Sequence, residues 1–248
     1  MCAIILVSVP DFVINLKNQR LLIIAPHPDD EVIGCGGLIQ KIKQGGGQVF
    51  ILFLTIGDTR DFSKKGFSTL DERKYEIGKV SKFLKYDDYD IALEGNEFHL
   101  KLDLLGQKEL MDKIERESSV AIEKIKPTII AFPSNTSYNQ DHQIAARAAH
   151  ASLRTSSSHK HFIETVLSYE SPADFWSLND KLTRNFFVPL TKIEFENKLA
   201  ALALYSSQAR SFPSSRSKEA ILALAKFRGV ECISEFAESF TIFRQVFK

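Results

Sequence analysis

The chain is short of cysteine and has almost no excess of either charge. Cys2, Cys35 and Cys232 are its three cysteines in 248 residues, and no pair has C-x-x-C spacing. An odd number so placed excludes a disulfide framework and fits a reducing compartment. Lys and Arg number 32 against 31 Asp and Glu, a net charge of +1. The basic residues are spread along the chain, so there is no electrostatic footprint for nucleic acid. No apolar run reaches the ~20 residues of a membrane span. The N-terminal CAIILVSV is too short for one and lacks the basic region and cleavage site of a signal peptide. It is expected to form a strand or an ordered arm, in a cytoplasmic protein. No internal repeat or low-complexity linker is evident, and nothing marks a second domain, so residues 1–248 are expected to fold as one.

What the chain has is apolar runs that end in chemistry. At 21–25 it reads LLIIA, bounded by Pro26, and such a run is expected to be a buried strand of a parallel sheet. The next residues are HPDDE at 27–31. Sheets of this kind hold ligands outside the carboxyl ends of their strands, and two prolines stiffen the turn around His27. Imidazole and carboxylate oxygen both ligate Zn²⁺, and a catalytic zinc site takes three protein ligands. His27 and one of Asp29 or Asp30 can supply two. Acidic residues ahead of a helix also serve its exposed amides, which is the competing reading of Glu31.

The segment IGCGG at 33–37 and the helical pattern of LIQKIKQ follow, ending at Gly45 to Gly47. This is strand, loop and helix, but G-x-G-G is not the dinucleotide fingerprint G-x-G-x-x-G. The glycines are expected to let the helix pack closely or to leave room beside a metal. Cys35 is expected to be a small buried hydrophobe. A second buried strand is expected at TIIAF (128–132), followed by the loop PSNTSYNQDHQ and the helix IAARAAHASLR. His142 there repeats the placement of His27 and is the candidate third ligand. His99, His150, His159 and His161 lack that placement and are expected to be surface or packing residues.

Further runs at QVFILFLT (48–55) and DYDIAL (88–93) alternate with helical stretches at 71–86 and 106–126. The alternation predicts an α/β, Rossmann-like fold: a mostly parallel sheet with helices on both faces. Beyond 155, FIETVLSYE, RNFFVPL, helices near 193–206 and 217–228 and FAESFTIFRQVF form a C-terminal extension expected to complete the domain. The polar loops TSSSHK (155–160) and SFPSSRS (211–217) are expected to border a cleft.

On these residues the chain resembles the PIG-L or LmbE-like family of zinc-dependent N-acetylglucosaminyl deacetylases, over nearly its whole length. The carrying motifs are AHPDDE-type residues with the glycine cluster (APHPDDE to Gly37), N-x-D-H at Asn139 to His142, and Arg73 with Glu76 in DERKYE. YESP, KLAALALYSSQ, RSKE and FAESF look like the C-terminal half of one LmbE-like branch. The resemblance implies that His27, Asp30 and His142 hold the metal, Zn²⁺ or another divalent ion such as Fe²⁺. It implies that Asp29 is the general base taking a proton from the metal's water. Many relatives have histidine at the position of Asn139; the amide can donate a hydrogen bond to an oxyanion but cannot shuttle a proton. Arg73 is the candidate for binding a substrate phosphate or hydroxyl, against an ion pair with Glu76 on the helix surface. Glu238 in FAESF is a further candidate to reach the cleft. The segment EGNEFHLKLD departs from the family's aspartate-rich turn, so no role is carried over to it. The implied activity is metal-dependent removal of an N-acetyl group from a small-molecule amino sugar or its glycoside, nucleotide or lipid conjugate, by a possible homo-oligomer. The competing reading is a non-catalytic α/β sugar-phosphate or nucleotide-binding protein using the glycine-rich loop.

Overall fold

A computed structural model describes residues 16–61, 65–178 and 183–246. The N-terminal CAIILVSV lies outside the described residues. Elements run β1 (Arg20–Ala25), α1 (Asp30–Gln44), β2 (Gln48–Ile56), the short β3 (Thr59–Arg60) and β4 (Phe67–Ser68), α2 (Leu70–Leu84) and β5 (Asp88–Glu94). Then come α3 (Gln107–Asp112), α4 (Ile122–Ile125), β6 (Ile129–Pro133), α5 (Gln140–Ser152), β7 (Thr165–Tyr169), β8 (Phe186–Leu190), α6 (Lys192–Leu204), α7 (Lys218–Glu231) and β9 (Phe236–Gln245).

Seven strands form one sheet in the order β5-β2-β1-β6-β7-β9-β8. Pairing is parallel from β5 through β7, and β9 runs antiparallel to both β7 and β8. The α/β sheet read from the alternating runs is therefore present, and the C-terminal extension contributes its antiparallel edge. Successive side chains of a strand point to opposite faces, and β1 shows what that does here. Leu21, Ile23 and Ala25 join a core beneath α1, α2 and α6, whereas Leu22 and Ile24 join a second core beneath α3 and α5. Every residue of LLIIA is fully buried because both faces are covered.

The chain leaves β1 on one side toward β2 and β5, and on the other side its neighbour is β6. The carboxyl ends of β1 and β6 thus flank the point where strand order reverses, the place such sheets reserve for ligands.

Two expectations need correction. The helical stretch at 106–126 is broken: α3 ends in a π-type turn at Lys113–Glu117, and α4 restarts only at Ile122. The Asp90 carboxylate accepts from Ser118 Oγ and the Ser119 amide at 2.7 and 2.9 Å, which gives those residues a non-helical alternative. TSSSHK precedes β7, so it lies at the amino edge of the sheet, away from the carboxyl ends of β1 and β6. SFPSSRS does border a cleft on the carboxyl side.

Candidate metal centre

His27 lies in the turn that joins β1 to α1 and Asp30 is the first residue of α1, while His142 lies in the first turn of α5, after the loop 134–139 that follows β6. All three side chains are buried, and one ligand atom from each lies within 4.8 Å of the others. His142 Nε2 is 3.1 Å from Asp30 Oδ2, and His27 Nδ1 is 3.4 Å from the same oxygen. The other ring nitrogen of His27 is 3.1 Å from Asp141 Oδ2. Asp141 Oδ1 accepts from the Leu102 amide at 3.0 Å, so this carboxylate fixes the imidazole and ties it to the segment after β5. A carboxylate behind a ligating histidine is the usual means of orienting such a ring. Burial works against a charged His27, but Asp141 and Asp30 outweigh it and raise its pKa. Burial also disfavours ionised Asp30, yet the two histidines hold it well below the ordinary carboxylate range. Two imidazoles and a carboxylate with converging, buried donors fit a divalent ion such as zinc.

Asp29 has a different environment. Its φ of 106° and ψ of −28° put a non-glycine residue in left-handed backbone, an arrangement that persists only when the surroundings enforce it. The enforcement acts on a single peptide unit. Arg73 Nη2 donates to the Pro28 carbonyl at 2.6 Å, and the Asp29 amide of that same peptide donates to Glu31 Oε2 at 3.1 Å. Glu31 is in turn held by the hydroxyls of Tyr205 (2.5 Å) and Tyr86 (3.1 Å). Burial pushes the Glu31 carboxyl up to about 7 against the bond from Tyr205. Both oxygens of Asp29 are buried with no hydrogen-bond partner. Its pKa is raised, by burial first, with Arg216 at 3.7 Å opposing the rise.

Arg73 therefore sits beneath the HPDDE turn, 2 % exposed, and neither reading of it from sequence matches that position. It makes no ion pair with Glu76, whose carboxylate accepts from Ser206 Oγ, the Ser207 amide and Ser207 Oγ. One helix of the motif thus braces the HPDDE turn with Arg73 and the YSSQ segment with Glu76. Glu238 is also corrected. It accepts from the Gly37 and Leu38 amides at 2.7 and 2.8 Å and from Lys198 at 2.6 Å, under α1 and away from the cleft. The glycine cluster is explained by the same packing. A Cβ at Gly34 would lie 2.3 Å from Tyr169, at Gly36 2.9 Å from Lys198 and at Gly37 2.4 Å from Leu190. Cys35 is a free thiol buried in that core.

Asn139 caps α5: its Oδ1 accepts from the Asp141 amide at 2.9 Å. His99 is closer to the centre than its sequence context indicated. Its ring packs edge-on against His27 with centroids 5.5 Å apart, bonds Thr59 and Thr55, and is pushed down to about 3 by burial. Arg216 stood in the sequence only within its polar loop and as the first residue of the family-like piece RSKE, with no role given to it. It bonds Gln208 Oε1 at 2.8 Å and, with Tyr138, Arg210 and Phe212, bounds an open cleft of about 900 Å³.

These features define an α/β protein with a buried His-Asp-His centre at the switch point of its sheet. The family model for PIG-L, described as GlcNAc-PI de-N-acetylase, matches residues 22–153, more than half of the chain, and the chain belongs to this metal-dependent deacetylase family. It is 25% identical over 193 residues to the uncharacterized deacetylase YaiS of Escherichia coli K12, covering 77% of this chain and 92% of that protein. Among solved structures it is similar to the conserved protein TT1542 of Thermus thermophilus (26% identity, TM-score 0.72, 93% of this chain and 97% of that one). It shares its fold with N,N'-diacetylchitobiose deacetylase of Pyrococcus horikoshii (20% identity, TM-score 0.67, 91% and 84% covered). The same fold carries the 4-carboxy-2-hydroxymuconate hydratase GalB of Pseudomonas putida KT2440 (19% identity, TM-score 0.71, 93% and 98% covered). Fold alone therefore does not choose the reaction. No described helix is long and apolar enough to cross a membrane.

Proposed function

We propose that this protein is a zinc-dependent N-deacetylase that hydrolyses the acetamide of an N-acetylated amino sugar to the free amine and acetate. The observation that carries this reading is Asp29, a buried carboxylate whose two oxygens have no hydrogen-bond partner, beside three converging ligand donors. His27, Asp30 and His142 hold the ion, and Asp141 orients His27. A divalent ion so bound supplies Lewis acidity and makes water a stronger acid. Asp29 accepts the proton of the attacking water and returns it to the nitrogen as the C–N bond breaks. Burial suits it to both steps, because a raised pKa brings a carboxyl nearer to neutrality. Arg216 flanks Asp29 at the wall of the cleft and faces the incoming substrate.

The competing binding-protein reading needed the glycine cluster as a phosphate cradle. Gly34, Gly36 and Gly37 are instead inside α1 and covered by Tyr169, Lys198 and Leu190. The test is acetate release from a panel of N-acetylated sugars by protein of known metal content. Acetate formation that requires the metal and is lost in Asp29→Asn supports the proposal. A metal-loaded protein that releases no acetate from any of them overturns it.

A further inference from the structure

At the amino edge of the sheet, opposite the metal centre, a pocket of about 370 Å³, open to solvent, is bounded by the end of α5, the loop 153–163 and the end of β9. Three cations line it: Arg154, Lys160 and Arg244. Arg154 and Lys160 share a single carboxylate oxygen, Glu115 Oε1, at 2.6 and 3.1 Å. Arg244 has no carboxylate within ion-pairing distance among the described residues; it donates to the carbonyls of Ile163 (3.2 Å) and Leu153 (2.8 Å). Main-chain carbonyls of Ala151 and Ser152 take further donors of Arg154 and Lys160. These contacts use only part of the donors that two guanidinium forks and an ammonium offer. The cavity is left with a positive charge excess.

A second observation is independent of charge. Ser152, which lines the same cavity, is fully buried, and its hydroxyl has no hydrogen-bond partner. A buried unpaired hydroxyl costs free energy unless something bonds it. Ile122, Leu153, Phe162 and Ile163 form an apolar part of the wall beside the polar residues of the loop 155–161, and Phe162 stacks beneath the Arg244 guanidinium at 4.8 Å. A volume in the range of small-molecule sites exceeds what a lone inorganic anion fills.

We propose that this cavity is a second binding site, for a phosphate monoester. Its anionic head lies between Arg154, Lys160 and Arg244, and its organic part lies against Phe162. Guanidinium forks match phosphate oxygens in geometry as well as charge. The site is separate from the deacetylase chemistry and does not depend on it.

Calorimetric titration of the intact, metal-loaded protein with inorganic phosphate and with phenyl phosphate tests this. Saturable binding of both is expected, tighter for phenyl phosphate because only it reaches Phe162. Arg154→Gln, which removes one charged contact, should weaken both by roughly tenfold. Ser156→Asp leaves every pair around Glu115 in place and adds a negative charge to the loop, so it should weaken them as much. Circular dichroism confirms that each variant is folded; if one is not, the other decides. A variant lacking the metal ligands His27 and His142 should still bind. Absence of binding by the unaltered protein, equal affinity in a folded Arg154→Gln or Ser156→Asp, or loss of binding only with the metal ligands would overturn the proposal. Equal affinity for the two probes would overturn the role of Phe162 and leave a site for the inorganic ion.

Discussion

Arg73→Met separates two roles that one residue cannot hold equally. The substitution keeps the length and apolar stem of the side chain but removes the donor to the Pro28 carbonyl, a 2.6 Å buried contact. A hydrogen bond from a charged group contributes about 1.5–3 kcal/mol, and the carbonyl would be left unpaired in a dry site. Against that, burial already disfavours charged Arg73, lowering its pKa, and its Nε is buried without a partner. A net loss of about 2 kcal/mol follows, which for a chain of this size shifts Tm by roughly 4–8 °C. Urea unfolding at constant m-value reads the same quantity. The catalytic consequence is equally specific. With one end of the Pro28–Asp29 peptide released, Asp29 relaxes from its left-handed conformation and also loses a cation that opposes the rise of its pKa. The rate at saturating substrate should fall while KM changes little. Arg73→Lys, which can still reach the carbonyl, should recover part of both losses. Unchanged stability with a raised KM would refute the clamp and make Arg73 a substrate contact.

Alanine at His27, Asp30 and His142 together should remove a stoichiometry of about one divalent ion per chain, read by elemental analysis; unchanged metal content would refute the ligand set. Asp29→Asn should keep the metal and lose activity by a factor on the order of 10²–10⁴. Asn139→Ala should cost about 1 kcal/mol of stability through the lost cap, with the rate per bound metal unchanged; a fall in that rate would restore a role in stabilising the oxyanion. Burial raises the Asp174 carboxyl to about 6 against its bond to the Ser171 amide. Its raised folded pKa means that its stabilisation is full below its unfolded value near 3.8 and is lost as pH rises through about 6. Asp174→Asn should therefore flatten the stability profile over that window.

The candidate ligands were legible because each lies in the strand, polar loop and helix pattern that follows a buried strand, and that local pattern locates them. Asp141 was quoted in the motif without a role, since nothing local shows that it faces His27 across 114 positions. His99 follows the weaker run DYDIAL, which became β5, by only a few residues and was passed over although that placement was there to read; the fold brings it against His27. The misplacement of TSSSHK had a remedy in the sequence. In a parallel sheet a loop that follows a strand lies at the ligand edge, and a loop that precedes one lies at the other. TSSSHK precedes the run that became β7. Glu238 had no such remedy, because a carboxylate on the last strand bonds helix amides 200 and 201 positions earlier.

The distant pieces of the family pattern become intelligible once the Pro28–Asp29 peptide is taken as their common target. Glu31 must accept the Asp29 amide, and a carboxylate raised to about 7 by burial is weakly held on its own. Tyr205, at the head of YSSQ, supplies the short bond that keeps it in place. YSSQ needs an anchor in turn, and Glu76 provides it through Ser206 and Ser207. Arg73, one helical turn before Glu76, closes the loop on the Pro28 carbonyl. Segments far apart in the chain thus converge on one strained peptide, and the strain keeps the Asp29 carboxylate free of every hydrogen bond that would lower its basicity.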